Sequence, residues 1–171
     1  MPEVSCRLSS FVSSLNDGSA SSFAVLVSAT KSGKSTHGTD GWALPLFGEG
    51  KPFPVVQGPG NDNWATFSPD AKWVAYSSDE SGRAEIYVVP FPGLGDKWQV
   101  STTGGINSFW PASNELYYIT PGAHVMAVEL ELQGTNLVVG RSRQFPGGRA
   151  FASSASLFPT PDRKRWLVAF P

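Results

Sequence analysis

The residues with the most chemical promise lie in the run Phe23-Ala-Val-Leu-Val-Ser-Ala-Thr-Lys-Ser-Gly-Lys-Ser-Thr36. Here Gly33-Lys34-Ser35 follows an apolar stretch, as a phosphate-binding loop follows its strand. Such a loop needs a first glycine five residues before Gly33, and Ser28 stands there. It also needs a helix whose N-terminal amides face the phosphate, and Thr36-His-Gly-Thr-Asp-Gly41 cannot supply one. The segment therefore reads as a solvated loop between two strands. His37 and His124 could act as ligand or base, but neither has Cys, Asp and Ser partners at a catalytic spacing. Both read as ordinary loop histidines.

Asn61-Asp-Asn63 and Asp79-Glu80 offer clustered oxygens of the kind a hard cation takes. Without the Asp-x-Asp-x-Asp-Gly order, turn formation is the better reading. Cys6 has only Arg7 beside it to lower its thiol pKa and receives no role. A single cysteine also excludes an internal disulfide and a cysteine-based zinc cluster. Trp42, Trp64, Trp73, Trp98, Trp110 and Trp166 could form a ligand cage. Their recurrence points instead to packing between sheets. The sequence thus assigns no catalytic residue, no cofactor-binding residue and no metal ligand.

The elements that would hold these residues are short. Phe23–Val27, Trp73–Tyr76, Glu85–Val89, Glu115–Ile119, Val125–Leu130 and Arg165–Phe170 are β-branched and aromatic runs of strand length, bounded by turn residues. Prolines 45, 52, 54, 90, 92, 111 and 121 interrupt the intervals, and no stretch has the length and period of a helix. The expected class is all-β.

Composition agrees. The 171 residues carry 13 Lys+Arg against 14 Asp+Glu, so the balance gives no footprint for nucleic acid. Gly 18 and Pro 14 imply many turns. No apolar stretch reaches the roughly 18 residues of a membrane helix, so no insertion by this chain is expected. The N-terminus lacks the basic-then-apolar order of a secretory signal.

A repeat organises the runs. Phe67-Ser-Pro-Asp-Ala-Lys-Trp-Val-Ala-Tyr76 recurs as Phe158-Pro-Thr-Pro-Asp-Arg-Lys-Arg-Trp-Leu-Val168, with a degenerate copy at Phe109–Tyr118 and an earlier one around Asp17 and Phe23–Val27. The interval is that of a four-stranded propeller blade, about 40–50 residues. In the best copy, Ala65–Phe67 is the inner strand and Ser68–Ala71 a tight turn. Trp73–Ser77 is the second strand, Asp79–Gly82 a hairpin turn, Ala84–Val89 the third strand and Lys97–Ser101 the outer one. Period-2 alternation puts Trp73 and Tyr76 on opposite faces, each against a different neighbouring sheet.

The segment Phe67–Val88 resembles the WD-like repeat of TolB-type propellers. Asp79-Glu-Ser-Gly82, Val89-Pro-Phe-Pro-Gly93, Lys97-Trp-Gln-Val-Ser101 and Gly104-Gly105 resemble the C-terminal sensor propeller of bacterial serine/threonine protein kinases. Asp40–Leu46, Leu116–Tyr118 and Val125–Glu129 match the flanking blades. The usual turn glycine is Ala71 here and the third copy lacks its Asp-Gly, which implies looser turns. The kinase motifs are absent, so phosphotransfer is not carried over.

The resemblance implies about three full four-stranded blades with a partial fourth, at 7–58, 63–101, 106–145 and 155–170, in one domain spanning 1–171. It implies an open arc rather than a closed ring. The implied role is non-catalytic recognition of a protein, peptide or small ligand through blade-connecting loops that the sheets hold rigid, with a protein or peptide as the expected partner and the rest of a propeller or a second copy as further ones. The sequence names no compartment, and the same likeness is compatible with an extracytoplasmic setting. The alternative is the gating propeller of a prolyl-oligopeptidase-type peptidase, whose Gly-x-Ser-x-Gly elbow is absent here.

Overall fold

The computed structural model describes residues 23–30, 39–45, 51–92, 95–133, 136–149, 156–159 and 166–169. These residues contain fourteen strands and no helix. A first sheet pairs β1 (Phe23–Thr30), β2 (Thr39–Pro45) and β3 (Phe53–Val56) in that order. The second is a four-stranded antiparallel meander of β4 (Asp62–Phe67), β5 (Trp73–Ser78), β6 (Glu85–Pro90) and β7 (Trp98–Gln99). The third contains β8 (Ile106–Ala112), β9 (Glu115–Ile119), β10 (His124–Gln133), β11 (Asn136–Val139) and β12 (Arg143–Arg149). β13 (Ser156–Pro159) and β14 (Trp166–Ala169) form a two-stranded pair.

Alternation along β5 and β6 explains why these sheets stack as blades. Val74, Tyr76, Tyr87 and Val89 face the first sheet and bury Ala43, Val55 and Val56. Trp73, Ala75, Ile86 and Val88 leave from the opposite face and bury Leu116, Tyr118, Val128 and Leu130 of the third sheet. A strand buried on both faces is expected only where a sheet is sandwiched between two others. All six residues of β5 are buried. Tyr117, Ile119, Val125 and Ala127 form a further cluster on the far face of the third sheet. The result is an open run of propeller-type blades, and no described strand pairs the first sheet with the last.

The turns are tighter than the missing glycines implied. Ala71 itself takes φ 57°, supplying the left-handed step usually left to glycine. Its N–H donates to Ser68 O at 2.9 Å, and the Ser68 hydroxyl accepts from Trp73 N at 3.0 Å while bonding Asp70 Oδ1 at 2.6 Å. In the third blade Ala112 pairs with Glu115, so Ser113 and Asn114 close a two-residue turn. Gly82 takes φ 95° and donates to Asp79 O at 2.9 Å, as the hairpin reading requires.

The connection from the second blade to the third is held by Glu85, whose buried carboxylate pairs with Arg83 Nε at 2.6 Å. It also bonds the Ser101 hydroxyl and accepts from Gly104 N at 3.0 Å. A buried carboxylate needs this density of donors to offset its desolvation. β12 was not foreseen. It pairs with β10 over His124–Ala127, beyond the four strands expected of a blade.

A candidate recognition surface on the inner strands

The innermost strands β4 and β8 share an irregularity. On β4 the register runs from Asn63 opposite Ser77 to Thr66 opposite Ala75, so Trp64 and Ala65 together face Tyr76. On β8 it runs from Ile106 opposite Ile119 to Phe109 opposite Tyr117, so Asn107 and Ser108 together face Tyr118. Each is a two-for-one bulge, a device that re-aims a side chain. The first bulge residue is left-handed in both, with φ 55° at Trp64 and 49° at Asn107. For a residue as bulky as tryptophan this conformation costs roughly 1–2 kcal/mol. Trp64 is nonetheless 44% exposed, one of two large exposed hydrophobics among the described residues.

Neighbouring bonds make this surface rigid. Thr39 of the first blade places its hydroxyl 3.1 Å from Asp62 O and 3.1 Å from Asn63 Oδ1. Trp110 Nε1 donates to Thr66 O at 3.3 Å, and the Thr66 hydroxyl donates to Ser108 O at 3.4 Å, joining β8 to β4. The tyrosines opposite the bulges are buried, which pushes both phenols above their ordinary pKa. For Tyr76, Asp62, Glu80 and Tyr87 add to that push. For Tyr118 the negative charge of Glu85 adds to the push of burial, while a hydrogen bond with the Ser142 hydroxyl works against it.

The polar candidates of the sequence sort differently. Asn61 and Asp79 do meet: Asn61 N and Nδ2 donate to the two Asp79 carboxylate oxygens at 2.7 and 2.6 Å. The Asn61 amide, then its backbone N–H, hold the Asp79 carboxyl below the usual carboxylate range. These bonds tie the Asp79–Gly82 hairpin to the start of β4, which is the turn role expected. Glu80 pairs with Lys97. Among the described residues no three His, Cys, Asp or Glu side chains converge as metal ligands.

His124 lies at the start of β10 rather than in a loop, its N–H donating to Thr120 Oγ1 at 3.2 Å. His37, Cys6, the Gly33-Lys34-Ser35 segment and the Asp17 turn lie outside the described residues. Trp73 packs between blades, with Trp98 and Trp110 partly buried against the same cluster. Trp64 departs from that packing role. Sequence reasoning missed it because neither bulge contains glycine, the usual marker of a left-handed position.

A shallow groove of about 460 Å³ opens at the other end of the third blade, beside Ser113, Asn114, Glu129, Glu131 and Val138.

No family model matches the chain, and no curated protein matches it. Among solved structures, one assigned to TolB of Agrobacterium tumefaciens superposes with a TM-score of 0.47 at 15% identity. The match covers 62% of this chain and 42% of that one, so the likeness takes in less than half of the neighbour. The blade arrangement is carried by the strand order and interblade burial described above.

Proposed function

We propose that this chain is a non-catalytic recognition module that binds a protein or peptide on its inner-strand surface. On this reading residues 7–58, 63–101, 106–145 and 155–170 are successive blades of one TolB-like domain. That domain would serve as the C-terminal sensor or scaffold part of a longer protein. The observation that carries the reading is Trp64: an exposed indole held in a costly left-handed conformation by a rigid sheet. Strained, exposed residues persist where they serve binding, and tryptophan is enriched at interface hot spots.

The experiment is selection of random dodecapeptides on the immobilised chain, followed by titration of the enriched sequences. Saturable binding that weakens at least about tenfold in Trp64→Ala supports the proposal. Failure to enrich any peptide, or binding indifferent to Trp64, overturns it.

A further inference from the structure

We propose that the outer edge of the third blade is a separate docking site, where an extended basic segment of a partner protein adds to β11 as a further strand. β11 and the inner strand β8 are opposite edges of that sheet, so this site does not depend on the inner-strand surface. The backbone leaves the edge open. Gly140 N–H donates to Glu129 O at 2.9 Å, while Leu130 N–H turns the other way, to Asn114 O at 2.9 Å. Backbone groups alternate in direction along a strand, so Val138 bonds inward to Glu131 while Leu137 and Val139 turn their N–H and C=O groups outward. No described strand takes them up. The other outer strands are defended against such pairing: β3 contains Pro54, β7 has only two residues, and β12 carries Pro146 between Arg143 and Arg149. β11, Asn136-Leu-Val-Val139, has neither proline nor charge.

The side chains beside this edge select what pairs with it. Val138 is 50% exposed and stands directly opposite Glu131 on β10. Both line the groove beside the Ser113-Asn114 turn, together with Glu129 and Gly140, and its lining contains no cation. Glu129 also lies directly opposite Glu115 on β9, a like-charge pair that costs stability. Arg143 answers Glu115 at 3.1 Å, whereas Glu129 and Glu131 have no ion pair among the described residues. Arg141, the next cation in the chain, is exposed and outside the lining. An added strand would run two strand spacings, roughly 10 Å, from β10. A lysine or arginine opposite Val138 lays its aliphatic stem on the valine and carries its charge to Glu131. Two residues along, a second cation passes over Gly140, which has no side chain, to Glu129. An acidic or neutral strand leaves both carboxylates unanswered.

The test uses the full chain and an acetylated, amidated nonapeptide of alternating valine and lysine. Two controls accompany it: the same peptide with glutamate for lysine, and one N-methylated at its valines, which cannot donate to the edge in antiparallel pairing. The lysine peptide is expected to bind saturably and to slow amide hydrogen exchange at Leu137 and Val139. Joint replacement Glu129→Gln and Glu131→Gln is expected to weaken it about tenfold or more, with a urea midpoint establishing that the variant folds. Both control peptides are expected to bind more weakly by a similar factor, and Trp64→Ala is expected to leave the affinity unchanged. Absence of saturable binding, binding indifferent to the two glutamates, or equal binding of the N-methylated peptide overturns the proposal. A loss in Trp64→Ala with no protection at Leu137 and Val139 overturns it too, and leaves the inner-strand reading standing.

Discussion

Trp64 and Asn107 occupy equivalent positions in neighbouring blades, and both hold a backbone conformation that glycine would adopt more easily. Ordinarily Ala outlasts Gly in a strand, because glycine loses more backbone entropy on folding. At a left-handed position the order reverses. Trp64→Gly is therefore expected to be about 1 kcal/mol more stable than Trp64→Ala. Paired urea melts of the two variants measure this, and Ala equal to or above Gly would refute the left-handed assignment.

Trp73 is 2% exposed and packs against the third blade, its ring 5.7 Å from that of Trp98. Truncation to Ala leaves a cavity between two rigid sheets that cannot easily close. A loss of about 3–5 kcal/mol is expected in equilibrium denaturation. An unchanged midpoint would place Trp73 outside the interblade core.

Acid should weaken the hairpin tie. The Asp79 carboxyl titrates lower in the folded chain than in the unfolded one, because Asn61 bonds its charged form. Its contribution is thus complete above the unfolded carboxylate pKa of about 3.9 and disappears as pH falls through the lower folded value. Asp79→Ala should be destabilised relative to wild type at pH 7, with the gap narrowing in acid. A gap independent of pH would show that the carboxylate charge contributes nothing there.

Alkali acts in the opposite sense through Tyr76. Burial first, then the charges of Asp62 and Glu80, raise its phenol above the unfolded value of about 10. The neutral form is favoured in the folded state, so the stabilisation is complete below pH ~10 and is lost as pH rises towards the folded value. Tyr76→Phe should show a shallower loss of stability above pH ~10. Identical alkaline limbs for wild type and variant would contradict the burial of this hydroxyl.

Much of the blade was legible because its signals are local. Alternation in Trp73–Ser78 and Glu85–Pro90, with Asp79–Gly82 between them, dictates a hairpin buried on both faces, and the sheets pack that way. The regular outer strand is Trp98–Gln99 rather than Lys97–Ser101, since beyond that ladder Val100 and Ser101 both turn their N–H groups to the one Ile86 carbonyl. β12 was invisible because Arg143–Arg149 contains Pro146, Gly147 and Gly148 and shows no alternation. Its pairing is imposed by β10 rather than by its own propensity. The bulges were hidden for a related reason. Trp64 and Asn107 are turned by strand register, a property of two segments together; asparagine tolerates the left-handed backbone better than most residues, but tryptophan gives no such sign.

Recognition through Trp64 is tested most directly by ¹⁹F NMR of the chain labelled with 5-fluorotryptophan, titrated with an enriched dodecapeptide. Of the resonances from the six tryptophans, Trp64 is assigned by its absence in Trp64→Phe and Trp73 by its absence in Trp73→Phe. The Trp64 signal is expected to shift saturably while that of Trp73, sealed between blades, stays in place. A peptide that binds and leaves the Trp64 signal unmoved would contradict the assignment of this surface.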